Sequence, residues 1–318
     1  MTGALRDHEE YERPRLAASG GVRVRVPAKV NLHLGVGPLR ADGYHELHTV
    51  YHAISLYDEV TARRGDTLSM TMEGEGTGEL ALDGSNLLLR AARALADRAG
   101  VPAYARLHLR KQIPLAAGLA GGSADAAAAL VACDALWGLG LAREELAVIA
   151  AGLGADVPFL LYGGTALGTG YGEQISPVLA HGGAWHWVVG LAGDGLSTPE
   201  VYRELDRQRQ AGQAPPPLPA PDALLAALRQ RDPSVLAGAL GNDLAPAALA
   251  LRPPVQSVLD AGAAAGALAG LVTGSGPTCV FLAGDAAQAE RVAAYLGTVD
   301  GCRAAWTAHG PVPGARVI

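Results

Sequence analysis

The chain has 318 residues, of which 49% are hydrophobic and 18% are charged, as is typical of a globular protein with one large or two ordinary domains. Its net charge of −6 argues against a nucleic-acid-binding protein that relies on a broad basic surface, so no nucleic-acid partner is expected. The three cysteines lie far apart and match no metal-binding or disulfide pattern, which favours a cytoplasmic protein.

Two segments of the chain bear on targeting and membrane insertion. Residues 1–20 are charged and lack the apolar core of a signal peptide, so we expect a disordered extension. Residues 261–284 carry no charge and are long enough to span a membrane. They are mostly alanine and glycine, and residues 274–277 (Gly-Ser-Gly-Pro) interrupt them, so a helix, a glycine loop and a short strand are predicted instead. No membrane partner is expected.

The first predicted element is a strand over 22–36, because apolar residues occupy alternate positions. Pro27 predicts an edge or a bulge in it. Lys29, Asn31 and His33 share the face opposite the core. On the strand alone, these side chains either lie in solvent or form one wall of a site.

The run His45-Glu46-Leu47-His48 does not form a zinc protease motif, because H-E-x-x-H would need histidine where Thr49 stands. No metal site is predicted.

Further elements follow from the same periodicities and from capping residues. The predicted elements are strands over 50–57 (ending at Asp58), 105–111, 185–191 and 301–307, a strand pair within 59–82, and helices over 87–99 (capped by Asn86, ended by Gly100), 142–151, 222–230, 233–240, 254–266 and 285–296.

The most informative stretch is residues 113–130, where three glycines precede Ser123 and an alanine-rich run follows. Serine is a good N-cap and alanine the best helix former, so a helix is predicted to start near Ser123. A helix start exposes N–H groups and the positive end of the dipole, which suits a phosphate. A plain loop and cap without a ligand is an equal alternative. No Gly-Lys-Ser/Thr of a Walker A motif is present, and a Rossmann loop would follow the first strand.

Three other features have two interpretations each. Asp156, between Gly154 and Pro158, is either an ordinary N-cap or a functional carboxylate. Lys29 and Lys111 are the only lysines in the sequence. Lys111 either reaches phosphates or is solvated at a strand end. A second glycine element over 272–281 leads into a strand.

Together these motifs resemble the GHMP kinases. Residues 114–126 are similar to their phosphate loop, 27–32 to their first motif and 273–279 to their third. Residues 29–31, 40–47 and 153–158 closely resemble the members that phosphorylate 4-diphosphocytidyl-2-C-methyl-D-erythritol. The similarity extends over roughly residues 22–310 in the same order. Ala117 and Ala120 stand where some relatives have glycine, which should leave the backbone cradle intact.

The resemblance implies a fold, an activity and ligands. The fold is α+β, a two-domain GHMP kinase fold with an N-terminal ribosomal-protein-S5-like βα domain over 21–176 and a C-terminal ferredoxin-like α/β domain over 177–318. The activity is ATP-dependent phosphorylation of the 2-hydroxyl of 4-diphosphocytidyl-2-C-methyl-D-erythritol, in the non-mevalonate route to isoprenoids. Mg²⁺ is expected with ATP, its ligands being unassigned, and the protein is expected to be a monomer or a weak homodimer.

The resemblance also implies site residues. Asp156 matches the catalytic base, and Lys29 matches the cation that stabilises developing charge. Tyr202, implied to stack on the cytosine, is an equally good core residue from the sequence alone. The residues implied to bind ATP are Pro114, Leu115, Ala116, Ala117, Gly118, Leu119, Ala120, Gly121, Gly122, Ser123 and Ala124, and those implied to bind the acceptor are Asn31, Tyr44, His45, Tyr202, Gly274, Ser275 and Gly276.

Two rival functions are considered. A mevalonate or homoserine kinase would share the superfamily motifs, but Tyr44 and His45 argue against it, because this segment is where cytidine selectivity is implied. A non-catalytic nucleotide-binding protein on the same fold would need neither Lys29 nor Asp156.

Overall fold

The computed structural model describes residues 20–178, 183–193 and 195–318, so the predicted extension over 1–20 lies outside the described residues except for Gly20. Within these ranges no helix is long and apolar enough to cross a membrane. The strands are β1 (Gly21–Leu39), β2 (His45–Arg63), β3 (Ser69–Gly74), β4 (Arg106–Lys111), β5 (Thr165–Thr169), β6 (Gln174–Pro177), β7 (Trp185–Ala192), β8 (Gly241–Asn242), β9 (Ala269–Val272), β10 (Thr278–Ala283), β11 (Cys302–Gly310) and β12 (Arg316–Val317). The helices are α1 (Leu87–Ala99), α2 (Gly121–Trp137), α3 (Arg143–Ala151), α4 (Val157–Tyr162), α5 (Thr198–Gln210), α6 (Asp222–Ala227), α7 (Pro233–Ala237), α8 (Ala245–Leu251), α9 (Pro254–Ala264) and α10 (Ala286–Leu296).

The first sheet is organised around β1 and β2, two long antiparallel strands. Its order is β12-β1-β2-β4-β3; β5 also pairs with β2, β6 with β5 and β8 with β1. Helix α2 packs on β1 and β2, and α1 packs on α2. The glycine loop lies at this sheet because it connects β4 to α2. Segments from the last third of the chain also reach the sheet, through β8 and β12.

The predicted alternation of β1 is confirmed, since its even-numbered apolar residues from Val22 to Val36 are buried. The register shifts between Pro27 and Ala28, which confirms the predicted bulge. The predicted end of the second strand at Asp58 is wrong: β2 continues to Arg63, because the buried Asp58 carboxylate accepts hydrogen bonds from Gln112 and Ile113 instead of ending the strand. The predicted strand pair over 59–82 is accordingly replaced by the end of β2 and by β3.

The second sheet is antiparallel with the order β11-β7-β10-β9, and α9 and α10 pack on it. Successive residues of a strand point to opposite faces, so Trp187 joins the core of the first sheet while Val188 joins the core beneath α9 and α10. The helix α8 and the short strand β8 were not predicted. The α+β class is confirmed by this mixture of sheets and helices.

Helix α1 follows its local signals closely. The Asn86 side chain accepts a hydrogen bond from the backbone N–H of Leu88, and Gly100 ends the helix with a φ of 68°. Both predicted caps are therefore confirmed.

His52 connects the two sheets and predicts a pH dependence of stability. Its side chain is fully buried, its Nδ1 lies 2.8 Å from Thr165 Oγ1, and its ring meets the Trp187 ring edge-on at 5.6 Å. Burial lowers the pKa of His52 from 6.5 to about 3. Between these values the unfolded chain binds a proton that the native protein does not. The free energy of unfolding should therefore decrease as the pH falls below 6.5. At pH 5, His52 should lower it by about 2 kcal/mol relative to neutral pH.

Urea unfolding at pH 7.5 and at pH 5 measures this contribution. His52→Gln lacks the titrating group but keeps a side chain of similar length, so its free energy of unfolding should decrease less between the two pH values. His33, whose pKa is also lowered by burial, is present in both proteins and cancels in the comparison. An equal decrease in both proteins would contradict the prediction.

Candidate active site

A cavity of about 910 Å³ lies where the glycine loop, β1, α5 and the loop between β9 and β10 meet. It is the place where most of the predicted site residues come together. Those that line it are Lys29, Asn31, Pro114, Leu115, Ala116, Ala117, Gly118, Ala120, Gly121, Gly122, Ser123, Asp156, Tyr202, Gly274 and Ser275.

The glycine loop runs into α2, which begins at Gly121, two residues before Ser123, so the predicted helix start near Ser123 is confirmed. The predicted role of Ser123 as N-cap is wrong: Ala120 holds this position, in a left-handed conformation with a φ of 57°. The first helical hydrogen bond runs from Ala124 N–H to Ala120 C=O at 2.9 Å, so the N–H groups of residues 121–123 precede it at the cavity wall. Ser123 lies in this first turn, where its hydroxyl is available to a ligand.

The second glycine element, residues 272–281, packs against the glycine loop. Gly118 has a φ of 73°, and a Cβ atom placed on it would lie 2.8 Å from the backbone oxygen of Thr273. Asn242 holds the partner loop, since its Nδ2 donates to the backbone oxygens of Val272 at 2.7 Å and Gly274 at 2.8 Å. The close approach therefore requires glycine at position 118.

The polar face of β1 is buried, and the interpretation that Lys29, Asn31 and His33 lie in solvent is wrong. Their exposed fractions are 5%, 3% and 4%. The two glycine loops cover this face: the backbone N–H of Lys29 donates to Leu119 C=O at 3.3 Å, and that of Asn31 donates to Thr273 Oγ1 at 3.0 Å. The strand thus forms the floor of the cavity.

Lys29 lies between an amide and a carboxylate. Its Nζ donates to Asn31 Oδ1 at 2.9 Å and lies 3.6 Å from Asp156 Oδ2. The ammonium also lies 5.6 Å from the centre of the Tyr51 ring. A buried cation next to a carboxylate is an arrangement that can stabilise anionic charge developing nearby.

Asp156 precedes α4 at its N-cap position, but its side chain makes no capping hydrogen bond within the described part of the chain. Its carboxylate lines the cavity with 28% of the side chain exposed. Burial, and next the negative charge of Asp156, raise the pKa of Tyr202 to about 12, so this phenol stays protonated at neutral pH. The geometry favours a functional carboxylate over an ordinary cap.

Of the residues predicted to select the cytidine, Tyr202 lines the cavity, whereas Tyr44 and His45 do not. Tyr202 lines the cavity and stacks on the His45 ring at a centroid distance of 5.3 Å. His45 is buried behind it, with Nδ1 2.9 Å from Gly37 C=O and Nε2 3.4 Å from Asp206 Oδ2. Tyr44 is 64% exposed. Among the described residues, His45 and Tyr44 are not part of the cavity wall, and neither are Leu119, Ala124 and Gly276.

Other residues of the cavity wall were missed or misjudged. Tyr171 lines the mouth, where its hydroxyl donates to Asp42 Oδ2 at 2.7 Å; it lies in a glycine-rich turn that gave no chemical signal. Lys111 was predicted to be exposed or to reach phosphates, and the exposed interpretation is wrong, because its side chain is fully buried between Asp58 and Asp125. The signal available in the sequence was the rarity of lysine, which occurs only at positions 29 and 111. No group of three or more His, Cys, Asp or Glu residues in the described ranges could hold a metal ion.

The chain is similar to known proteins in sequence and in fold. Residues 86–164 match the model of the GHMP kinases N terminal domain, and residues 224–299 match that of the GHMP kinases C terminal. A 4-diphosphocytidyl-2-C-methyl-D-erythritol kinase of Salinispora tropica is 73% identical over 317 residues, covering all of both chains. A crystal structure of 4-(cytidine 5'-diphospho)-2C-methyl-D-erythritol kinase is 34% identical with a TM-score of 0.74, over 90% of this chain and 98% of the other. A homoserine kinase of Cytophaga hutchinsonii shares the fold at 20% identity with a TM-score of 0.74, over 95% of this chain and 98% of the other.

Proposed function

The chain belongs to the GHMP kinases and, within them, to the 4-diphosphocytidyl-2-C-methyl-D-erythritol kinases, and from this we propose how its residues perform the transfer. ATP is the phosphate donor, and the acceptor is the 2-hydroxyl of 4-diphosphocytidyl-2-C-methyl-D-erythritol. The observation that carries the assignment of catalytic residues is the Lys29–Asp156 pair at the cavity floor, 3.6 Å apart.

The phosphates of ATP bind at the start of α2. The N–H groups of Gly121, Gly122 and Ser123 precede the first helical hydrogen bond, and the helix dipole adds positive potential at this point. Mg²⁺ belongs to the proposal as the ion that accompanies ATP. The Ser123 hydroxyl is an oxygen donor in the same cavity, which fits the ion, and when bound Mg²⁺ would supply positive charge to the phosphates.

Two contacts of the glycine loop support the place that we give to each substrate. Gly76 packs against Leu115 at the beginning of the loop, beside the cavity residues from Leu80 to Leu87. Gly274 packs against Gly118 in the middle of the loop, near Asn31. We therefore place the nucleoside of ATP on the side of Leu115 and the acceptor on the side of Gly274.

Asp156 acts as the general base and Lys29 as the neighbouring cation. The acceptor hydroxyl must lose its proton as it attacks the γ-phosphorus, and Asp156 is the carboxylate that can take it. Lys29 stabilises the negative charge that develops on the oxygen. Asn31 orients Lys29 through its 2.9 Å hydrogen bond, and it is fixed in turn by donating from Nδ2 to Thr49 Oγ1 at 2.7 Å.

On the acceptor side we propose that Tyr202 stacks on the cytosine. Tyr44, His45 and the backbone of residues 274–276 complete the acceptor site, with His45 acting from behind Tyr202. We propose a monomer or a weak homodimer, as the resemblance implies. The three free cysteines support the cytoplasm as the compartment of the protein.

Release of ADP with three acceptors offered separately tests the function. We expect turnover with the diphosphocytidyl substrate and none above background with mevalonate or homoserine. A response to mevalonate alone would assign the chain to another GHMP kinase activity, and ATP binding without any turnover would support the non-catalytic alternative.

The phosphorus spectrum of the product tests the position of transfer. C2 of the acceptor carries a methyl group and no hydrogen, so a phosphate at the 2-hydroxyl has no three-bond coupling to a proton on its ester carbon. Esters at the primary or secondary hydroxyls would show this coupling. A proton-coupled ³¹P signal of the new monoester that is split would contradict transfer to the 2-hydroxyl.

A further inference from the structure

Asp58, Lys111 and Asp125 form a buried cluster of charged side chains that the proposed chemistry does not use. We refer to these three residues as the loop triad. Lys111 Nζ lies 2.5 Å from Asp58 Oδ2 and 3.0 Å from Asp125 Oδ2. The exposed fraction of the three side chains is at most 5%.

The loop triad joins the two ends of the glycine loop. Asp58 Oδ1 accepts hydrogen bonds from the backbone N–H groups of Gln112 at 2.6 Å and Ile113 at 2.9 Å, where the loop leaves β4. Asp125 belongs to α2, where the loop ends. Lys111 bridges the two carboxylates, so both ends of the loop are fixed to the same ammonium group.

The loop also lies directly on Lys111. A Cβ atom placed on Gly121 would be 3.1 Å from Lys111 Nζ and 3.2 Å from Ile113 Cγ2. Gly121 is the first residue of α2 and one of the three whose N–H groups are proposed to bind phosphate. A shift of the Lys111 ammonium would therefore move the phosphate-binding backbone itself.

Asp58 is the closer counter-charge of Lys111, at 2.5 Å against 3.0 Å for Asp125, and its other oxygen is held by two backbone N–H groups. Asp125 Oδ1 is buried without a hydrogen-bond partner among the described residues, at the cavity wall. The contribution of Asp125 to the loop triad is therefore an oxygen acceptor for Lys111 in the first turns of α2.

We propose that the loop triad is a positioning unit that holds the glycine loop in its nucleotide-binding conformation, with Asp125 as the acceptor that ties α2 to Lys111. The proposal rests on the proposed function, because it assumes that the loop binds ATP. It distinguishes two properties of Asp125: the shape and hydrogen bond that connect it to Lys111 are required, whereas a negative charge is not.

Two substitutions of Asp125 separate these properties. Asp125→Asn keeps the shape and an oxygen acceptor for Lys111 without a charge, so KM for ATP should stay within about threefold of wild type. Asp125→Ala removes the acceptor and frees one end of the loop, so KM for ATP should rise at least about tenfold, with KM for the acceptor changed less than about threefold. A purely structural role would not produce this difference between the two substrates.

Asp134→Ala is the matched control. Asp134 also belongs to α2 and its Oδ1 accepts a hydrogen bond from Leu141 N–H at 3.0 Å, far along the helix from the loop. It should leave both KM values unchanged. Titration calorimetry with ADP on the same proteins measures nucleotide binding without turnover, so it tests the loop triad even if wild type fails to phosphorylate the diphosphocytidyl substrate.

Two results would overturn the proposal. One is an unchanged KM for ATP in Asp125→Ala. The other is a tenfold rise in Asp125→Asn with its melting temperature kept, which would mean that the charge is needed; this result does not depend on Asp125→Ala being able to fold.

Discussion

Replacing Asp156 by alanine is expected to lower kcat at least about a hundredfold while ATP binding and the melting temperature stay close to wild type. The carboxylate is the proposed acceptor of the substrate proton, and it lies 3.6 Å from Lys29. Its side chain makes no capping bond to α4 in the described structure, so its removal costs the helix little. Asp156→Asn, which keeps the shape, should lose kcat to a similar extent because the amide cannot take the proton. Steady-state kinetics and thermal unfolding of each variant provide the measurement.

Asp285 offers the matched control. It is the N-cap of α10 and does accept a hydrogen bond, from Gln288 N–H at 2.7 Å. Asp285→Ala should therefore lower the free energy of unfolding by about 1 kcal/mol and leave kcat unchanged. If Asp156→Ala instead behaved like Asp285→Ala, losing stability and keeping turnover, Asp156 would be an ordinary cap and its assignment as base would be wrong.

The second large effect is expected for Gly118→Ala, which should lower the free energy of unfolding by about 3 kcal/mol and kcat/KM by roughly a hundredfold. Gly118 has a φ of 73°, and a Cβ atom there would lie 2.8 Å from Thr273 C=O. The Thr273 loop cannot yield easily because Asn242 holds Val272 and Gly274 on either side of it. The two glycine loops would have to separate at the cavity. Urea unfolding and steady-state kinetics measure the two effects.

Gly138→Ala separates the clash from the backbone strain. Gly138 ends α2 with a φ of 69°, and a Cβ atom there would meet no atom of the described structure within 4 Å. Its replacement should cost only the left-handed conformation, about 1 kcal/mol, with kinetics unchanged. Equal losses of stability in both variants would show that the contact between the loops contributes nothing.

Local signals in the sequence were sufficient for much of the fold. Asn86 and Gly100 bound α1 as expected, because a cap depends on the residues next to it. The N-cap of α2 was assigned to Ser123 instead of Ala120, because Ala120 adopts a left-handed conformation that alanine rarely takes. Local propensity does not predict such a conformation.

Burial of polar groups was the property that the sequence could not provide. Alternation in β1 placed Lys29 and Asn31 on one face of the strand. Whether that face is exposed to solvent depends on loops that begin more than 80 residues later. Lys111 looked like an exposed strand end and is enclosed by Asp58 and Asp125. His45 was predicted to contact the cytosine, and the structure shows Tyr202 stacked over it.

The sequence by itself therefore determined the class of elements, the glycine loop and, through the order of its motifs, the family, and it predicted the roles proposed for Lys29 and Asp156. Only the tertiary structure decided that this pair is 3.6 Å apart, that Gly118 lies against Thr273, and that Lys111 is buried beneath Gly121. The reason is physical: periodicity and capping depend on neighbours in the chain, whereas desolvation, ion pairing and close backbone contact depend on residues that folding brings together.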